Sequence, residues 1–269
     1  MYLADYHVHS RISPDAASPM ADVAEAALAA GLDELCFTDH VQPVTVGTSR
    51  RIPSYDWDAL LAEFRRAQEA MDGRITLRLG IELGDAEIDL PHTEKILADM
   101  PPLDFIIGSV HMLPESWGCT NLYFYDPKDG AEAFTGIAAY LEEARALAEW
   151  GQFSVMGHLT LPLRYLNENH GFHLTFDRFE EEVREILKIL ISRGLGIELN
   201  TNRGNMPLPD AKWLKLYRSL GGEIITLGSD AHRPEMVGCR IQACQALLRE
   251  CGFTRFCTFR EMKPVWHDL

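Results

Sequence analysis

Histidines and carboxylates recur along this chain in short motifs. They are His7-Val8-His9, with Asp15 soon after, Thr38-Asp39-His40, Gly80-Ile81-Glu82, Gly108-Ser109-Val110-His111, Met156-Gly157-His158 and Gly228-Ser229-Asp230-Ala231-His232. Six of the ten histidines fall in these motifs, which argues against chance scatter. The i, i+2 spacing of His7 and His9 puts both imidazoles on one face of a strand. Histidine with carboxylate and without cysteine suits zinc, iron or manganese. Six histidines with Asp15, Glu82 and Asp230 exceed the needs of a single ion. A multinuclear site follows, with a carboxylate available to bridge. Paired ions ~3.5–4 Å apart can acidify a water and clamp a phosphoryl oxygen. The chemistry expected is hydrolysis, with phosphate esters as the natural target. His92, His170, His173 and His267 lie outside the pattern and read as loop or surface residues.

The elements that must position these groups alternate between strand and helix. β-rich runs are expected at Tyr2–His7, Glu34–Thr38, Ile75–Glu82, Phe105–Ser109, Ser154–Gly157, Gly196–Asn200 and Glu223–Leu227. Amphipathic helical spacing marks Met20–Ala30, Trp57–Met71, Ala131–Trp150, Phe176–Ser192 and Pro209–Leu220. Asp56 or Ser54 is a candidate cap for the second helix, and Thr175 or Asp177 for the one at 176–192. Gly31, Gly73, Gly151 and Gly194 stand where helices should end. This alternation implies a mostly parallel sheet, barrel or open. Almost every proposed strand then ends in a metal-ligating residue, and strand C-termini of a parallel β/α fold converge on one face. Val41–Tyr55 and Met112–Gly130 read as long loops, the second rich in aromatic residues.

Composition narrows the function. The chain has 269 residues and a net charge of −15, from 40 acids against 25 bases, so a nucleic-acid partner is not expected. No apolar run approaches the ~20 residues of a membrane span. The Met1–Asp5 start lacks a basic region followed by an apolar run, so no signal peptide is expected. Six cysteines without framework spacing fit a reducing, cytoplasmic compartment. P-loop and GxGxxG phosphate cradles are absent. No linker or composition shift divides residues 1–269, so a single domain is expected. A phosphate also needs cations. Arg164 and Arg203 follow the fifth and sixth strands and are the candidate clamps, with Arg233 third. Arg50 and Arg51 read as a solvated pair.

Taken in order from residue 7 to residue 232, the motifs resemble the PHP (polymerase and histidinol phosphatase) family. The spacing from His40 to Glu82, the Gly157-His158-Leu159-Thr160-Leu161 segment and Glu198-Leu199-Asn200-Thr201 resemble its histidinol-phosphate phosphatase branch. The resemblance implies a distorted (β/α)7 barrel holding about three divalent ions, zinc, manganese or iron. It implies one ion on His7, His9, Glu82 and Asp230, and a second on Glu82, His111 and His158. A third would sit on Asp15, His40 and His232. Thr160 stands where many members have Asp, and Asn202–Asn205 differs from the usual small segment after Asn-Thr.

The function expected is a cytoplasmic metal-dependent phosphomonoesterase. Asp230 or His232 would move the proton, and Arg164 and Arg203 would hold the phosphate. L-histidinol phosphate is the leading substrate by resemblance. Glu115 or Asp126 of the aromatic loop is then expected to meet the cationic amine. The alternatives are a sugar or nucleotide phosphate, including cyclic esters, and a non-catalytic binding module of the same fold.

Overall fold

The computed structural model describes residues 1–269. Seven parallel strands form a nearly closed barrel. They are β1 (Ala4–Val8), β2 (Glu34–Phe37), β4 (Thr76–Gly84), β5 (Phe105–Ser109), β6 (Val155–Met156), β7 (Gly196–Asn200) and β8 (Ile225–Gly228), hydrogen-bonded in that order. A two-residue strand, β3 (His40–Val41), pairs His40 with Glu82 at the mouth of the barrel. The ring closes through a bridge between Val8 and Ala231, where the His9 amide donates to Ala231 O at 2.9 Å and the Asp230 amide to His7 O at 2.8 Å. Closure therefore joins two ligand-bearing motifs directly.

The helices wrapping the barrel are α1 (Met20–Ala29), α2 (Trp57–Met71), α3 (Leu90–Leu97), α4 (Gly130–Trp150), α5 (Glu180–Ser192), α6 (Ala211–Ser219) and α7 (Ile241–Glu250). Their apolar faces and the strands share one continuous core, from Ala4 to Phe259. Asp56 caps α2, accepting from the Ala59 amide at 2.9 Å. Neither Thr175 nor Asp177 caps α5. Residues 177–179 form a separate tight turn, α5 starts at Glu180, and no side chain caps it. Glu180, Glu181 and Glu182 in its first turn complement the helix dipole instead.

The C-terminal segment forms an antiparallel hairpin, β9 (Arg255–Arg260) with β10 (Lys263–Asp268), that sequence periodicity did not reveal. Its turn residues Glu261 and Met262 both have positive φ, 50° and 61°. Such turns normally carry Asn-Gly or Asp-Gly, so the local signal is missing. Asp104 supplies the constraint instead, accepting from the Glu261 amide at 3.0 Å and the Met262 amide at 2.9 Å. The Phe259 amide donates to the Tyr6 hydroxyl at 3.0 Å, fastening β9 under β1.

Candidate metal centre

Glu82, buried at the end of β4, is the hub. Its Oε2 lies 3.2 Å from His7 Nε2, 3.6 Å from His9 Nε2 and 3.0 Å from His40 Nδ1. Its Oε1 lies 3.1 Å from His111 Nε2 and 2.9 Å from His158 Nε2. Asp230 Oδ1 stands 3.6 Å from His7 Nε2 and 3.4 Å from His9 Nε2. Asp15 Oδ2 stands 3.1 Å from His232 Nε2 and 3.5 Å from His40 Nε2. All nine residues singled out in the sequence thus meet in one cluster. His40 turns Nδ1 towards Glu82 and Nε2 towards Asp15, so it lies between two of the expected groups rather than wholly in one.

The donor set fits metal ions. His7 Nε2, His9 Nε2, His40 Nδ1 and Glu82 Oε2 are shut off from solvent and have no hydrogen-bond partner. Buried polar atoms in that state are costly unless a cation takes their lone pairs. Their spacings of 3.0–3.6 Å match the ~3.3 Å edges of a tetrahedron built from metal–ligand bonds of about 2.0–2.1 Å. Several ligand triads lie close enough to share an ion, among them His7/His9/Asp230 and His40/Glu82/His111.

A second ring of buried carboxylates, whose roles sequence reasoning missed, orients these ligands. Glu198 on β7 pairs with His7 Nδ1 at 2.6 Å and accepts from the His158 amide at 2.8 Å. Asp39 accepts from the Ser10 amide at 2.7 Å and the Ser13 hydroxyl at 2.7 Å. That hydroxyl meets His9 Nδ1 at 3.1 Å and the His40 amide at 3.0 Å. Asp85 accepts from the His111 amide at 2.7 Å, and Asp5 from the Ser229 amide at 2.9 Å. Such partners fix ring orientation and tautomer. For two of these carboxylates the signal in the sequence was an acid beside a ligand motif, Asp5 before His7 and Asp39 before His40. Gly228 makes room for this layer, because a Cβ there would collide with Glu198 Oε1 and His7 Cβ.

Charge in the cluster is tightly balanced. Burial raises the Glu82 carboxyl, but His7, His111 and His40 outweigh it and hold the group well below the usual carboxylate range. Burial likewise opposes ionisation of Asp230, and Arg164 and His7 overcome it. Burial lowers His7, yet Glu198, Glu82 and Asp230 drive it well above the ordinary imidazole value. Burial lowers His40 too, and Glu82 and Asp15 bring it up to about 10. His111 and His232 are also raised, against burial, by their carboxylate partners. Burial takes His9 down to about 3. His7 and His40 therefore favour the protonated form in the metal-free chain, His111 and His232 lean the same way, and a metal taking these nitrogens must displace protons. Zinc or manganese added to metal-free protein in weak buffer near pH 7 should release more than one proton per chain. Affinity should rise with pH. An indicator-dye titration showing uptake without proton release would remove these histidines as ligands.

The cluster floors a cavity of about 790 Å³. Arg164 lines it but is buried and engaged on three sides. Its Nη1 donates to Asp230 Oδ2 at 2.7 Å, Nε to Asn202 Oδ1 at 2.7 Å and Nη2 to Asn200 Oδ1 at 3.1 Å. Arg203 and Arg233 reach the same cavity exposed. Arg51 is no free cation, since it pairs with Asp89 at 2.5 Å. Neither Glu115 nor Asp126 lines the cavity. Glu115 sits in an exposed turn, and Asp126, 85% exposed, faces His170 at 3.4 Å. The expectation that one of them meets the amine is corrected: the 112–130 loop turns Asn121, Tyr123 and Phe124 inward instead. His92 caps a loop through Ile52 O at 2.7 Å, and His267 stacks on Tyr2 at 4.0 Å, so both are structural.

A parallel β/α barrel with a histidine–carboxylate cluster at its strand C-termini defines a metal-dependent hydrolase. The PHP domain profile matches residues 5–202, and the chain belongs to that family. It is 31% identical to the histidinol-phosphatase of Lactococcus lactis subsp. lactis, covering 96% of this chain and 95% of the relative. The barrel is similar to the crystal structure of the L. lactis histidinol phosphate phosphatase complexed with zinc, L-histidinol and phosphate. The TM-score is 0.79 at 25% identity, covering 98% of each chain. A solved structure from Listeria monocytogenes shares the fold with a TM-score of 0.75 at 18% identity, covering 89% of this chain and 99% of the other.

Proposed function

We propose that this chain is a metal-dependent phosphoric monoester hydrolase whose substrate is L-histidinol phosphate. The observation that carries the reading is the Glu82-centred cluster, on a chain matching a histidinol-phosphatase over nearly its whole length. Residues 1–269 act as one domain. His7, His9, Glu82 and Asp230 would hold one ion, Glu82, His111 and His158 a second, and Asp15, His40 and His232 a third. Zinc, manganese and iron all suit this donor set. When bound, the ions acidify a water and neutralise the phosphoryl oxygens.

The chain's own groups do the rest. Arg203 binds the phosphate from the cavity mouth. Arg164 holds Asp230 Oδ2, which leaves Oδ1 facing the cluster. Asp230 is kept ionised and receives the proton of the attacking water at Oδ1. His232 Nδ1 bonds to Asp230 O at 3.0 Å, which commits its Nε2 to the Asp15 side, so the proton task falls to Asp230. The net charge of −15 opposes a nucleic-acid partner, and no helix is long and apolar enough to cross a membrane. Six free cysteines, five of them buried, fit a reducing cytoplasm, and the substrate places the reaction in histidine biosynthesis.

The test compares kcat/KM for L-histidinol phosphate, a sugar phosphate and a nucleoside monophosphate, with added manganese. A preference of at least about 100-fold, ~2.7 kcal/mol, is expected for L-histidinol phosphate. Equal rates on all three would remove the substrate. No hydrolysis of any would leave a binding module. Protein purified without chelator should carry more than one metal per chain, and one or none in folded protein would break the multinuclear reading.

A further inference from the structure

The segment Asn202–Asn205 holds a backbone that only part of its sequence favours. Asn202, Arg203 and Gly204 take φ of 47°, 56° and 93°. Glycine enters this left-handed region freely and asparagine more readily than most residues, but an arginine meets a steric penalty there. Arg203 stands between the two asparagines and reaches the cavity exposed. Something outside the segment must keep it in that conformation.

Glu168 supplies that hold. Asn202 Nδ2 donates to its Oε1 at 2.8 Å and Asn205 Nδ2 to its Oε2 at 2.8 Å, so one carboxylate clasps both ends of the segment. The Asn202 side chain is engaged on every side, since its Oδ1 accepts from Arg164 Nε at 2.7 Å and its Nδ2 also donates to Met206 O at 2.8 Å. Glu168 itself stands on an anchored helical turn, Arg164–Asn169. Leu166 is buried within that turn, and Asn167 exchanges two hydrogen bonds with Leu174, at 2.7 and 2.9 Å. Both Glu168 oxygens go to neutral amides, so the hold adds no ion pair that would compete with an anion for Arg203.

We propose that Glu168 is a positioning residue: it fixes the left-handed backbone that carries the Arg203 guanidinium into the cavity, and it acts on phosphate only through that arginine. This rests on the phosphatase reading above and on the place of Arg203 within it. An arginine on a relaxed loop would have to be ordered each time phosphate bound, and the entropy lost would be subtracted from affinity. A loop held beforehand avoids that loss. The two asparagines that set this segment apart in the sequence are then the handles by which Glu168 holds it.

The test measures hydrolysis of L-histidinol phosphate, and its inhibition by inorganic phosphate, in a double-mutant cycle. Glu168→Ala should lower kcat/KM about tenfold, mostly through KM, and weaken phosphate inhibition by a similar factor. Made on top of Arg203→Ala, the same change should move either constant by less than about twofold, because the two residues act as a unit. Glu168→Gln should keep most of the rate. Its Oε1 still accepts from Asn202, and the exposed Asn205 can turn its amide over to accept from the new Nε2. Metal content should match wild type throughout. The same loss in the Arg203→Ala background, or a fall in metal content, would route the effect through Arg164 and overturn the role. So would unchanged kinetics in Glu168→Ala, or a Glu168→Gln enzyme as impaired as Glu168→Ala, and none of these results touches the phosphatase reading. Wild-type enzyme that hydrolyses no phosphate ester would overturn that reading and the positioning role together.

Discussion

Glu82→Gln should abolish turnover by several orders of magnitude while the barrel still folds. Five imidazoles face this one carboxylate, on both of its oxygens. Glutamine keeps the shape but loses the charge, and its amide nitrogen would point a donor at atoms that need a cation. Two divalent ions held on either side of it would repel without compensation, and a water they would otherwise acidify to a pKa of ~7 would stay closer to bulk water. Metal per chain should fall in step with activity, and circular dichroism should be unchanged. A Glu82→Gln enzyme with full metal and near-normal rate would refute the bridging role. Glu198→Gln should act more mildly, because Glu198 touches only His7 and the His158 amide within the cluster. A loss of about 10–100-fold in metal affinity is typical of such partners.

The two arginines should separate cleanly. Arg164→Ala removes a buried ion pair with Asp230 and two hydrogen bonds to Asn200 and Asn202. An uncompensated buried carboxylate costs about 3–5 kcal/mol, or roughly 10 °C in Tm for a chain of this size. Metal content should also drop, because Asp230 loses its orientation. Arg203→Ala breaks no hydrogen bond or ion pair within the chain and should leave Tm and metal unchanged. Its kcat/KM should fall about 10- to 150-fold, the worth of a charge-assisted phosphate contact of ~1.5–3 kcal/mol. Arg203→Lys should recover only part, for want of the planar fork. Thermal melts and metal analysis alongside kinetics read both outcomes. An Arg164→Ala protein with wild-type Tm and metal content would return Arg164 to the role of a simple phosphate clamp.

The chain order of motifs was enough to place the ligands, because parallel strands deliver their C-termini to one face whatever the details of the loops. All seven barrel strands were legible for a related reason: each is a short apolar run, and most run into a histidine, a glycine or a carboxylate. The hairpin at 255–268 was not legible, since its turn residues carry no turn signature and depend on Asp104, 157 residues away. Helices α3 and α7 add little to the site and were passed over.

What the residues alone determined is the kind of chemistry: histidines and carboxylates gathered at the strand ends of a mostly parallel sheet, a set suited to metal-assisted hydrolysis. Side-chain partnership was decided only by tertiary structure. Arg164 and Arg203 look alike in sequence, each just beyond a strand, yet one is spent on Asp230 and the other is free. Glu115 and Asp126 sit in the right loop but point away from the cavity, while Tyr123 and Phe124 of the same loop face it. Position along a chain sets which end of the barrel a residue reaches. Rotamer, burial and the nearest opposite charge set what it does there, and those depend on neighbours tens to hundreds of residues away.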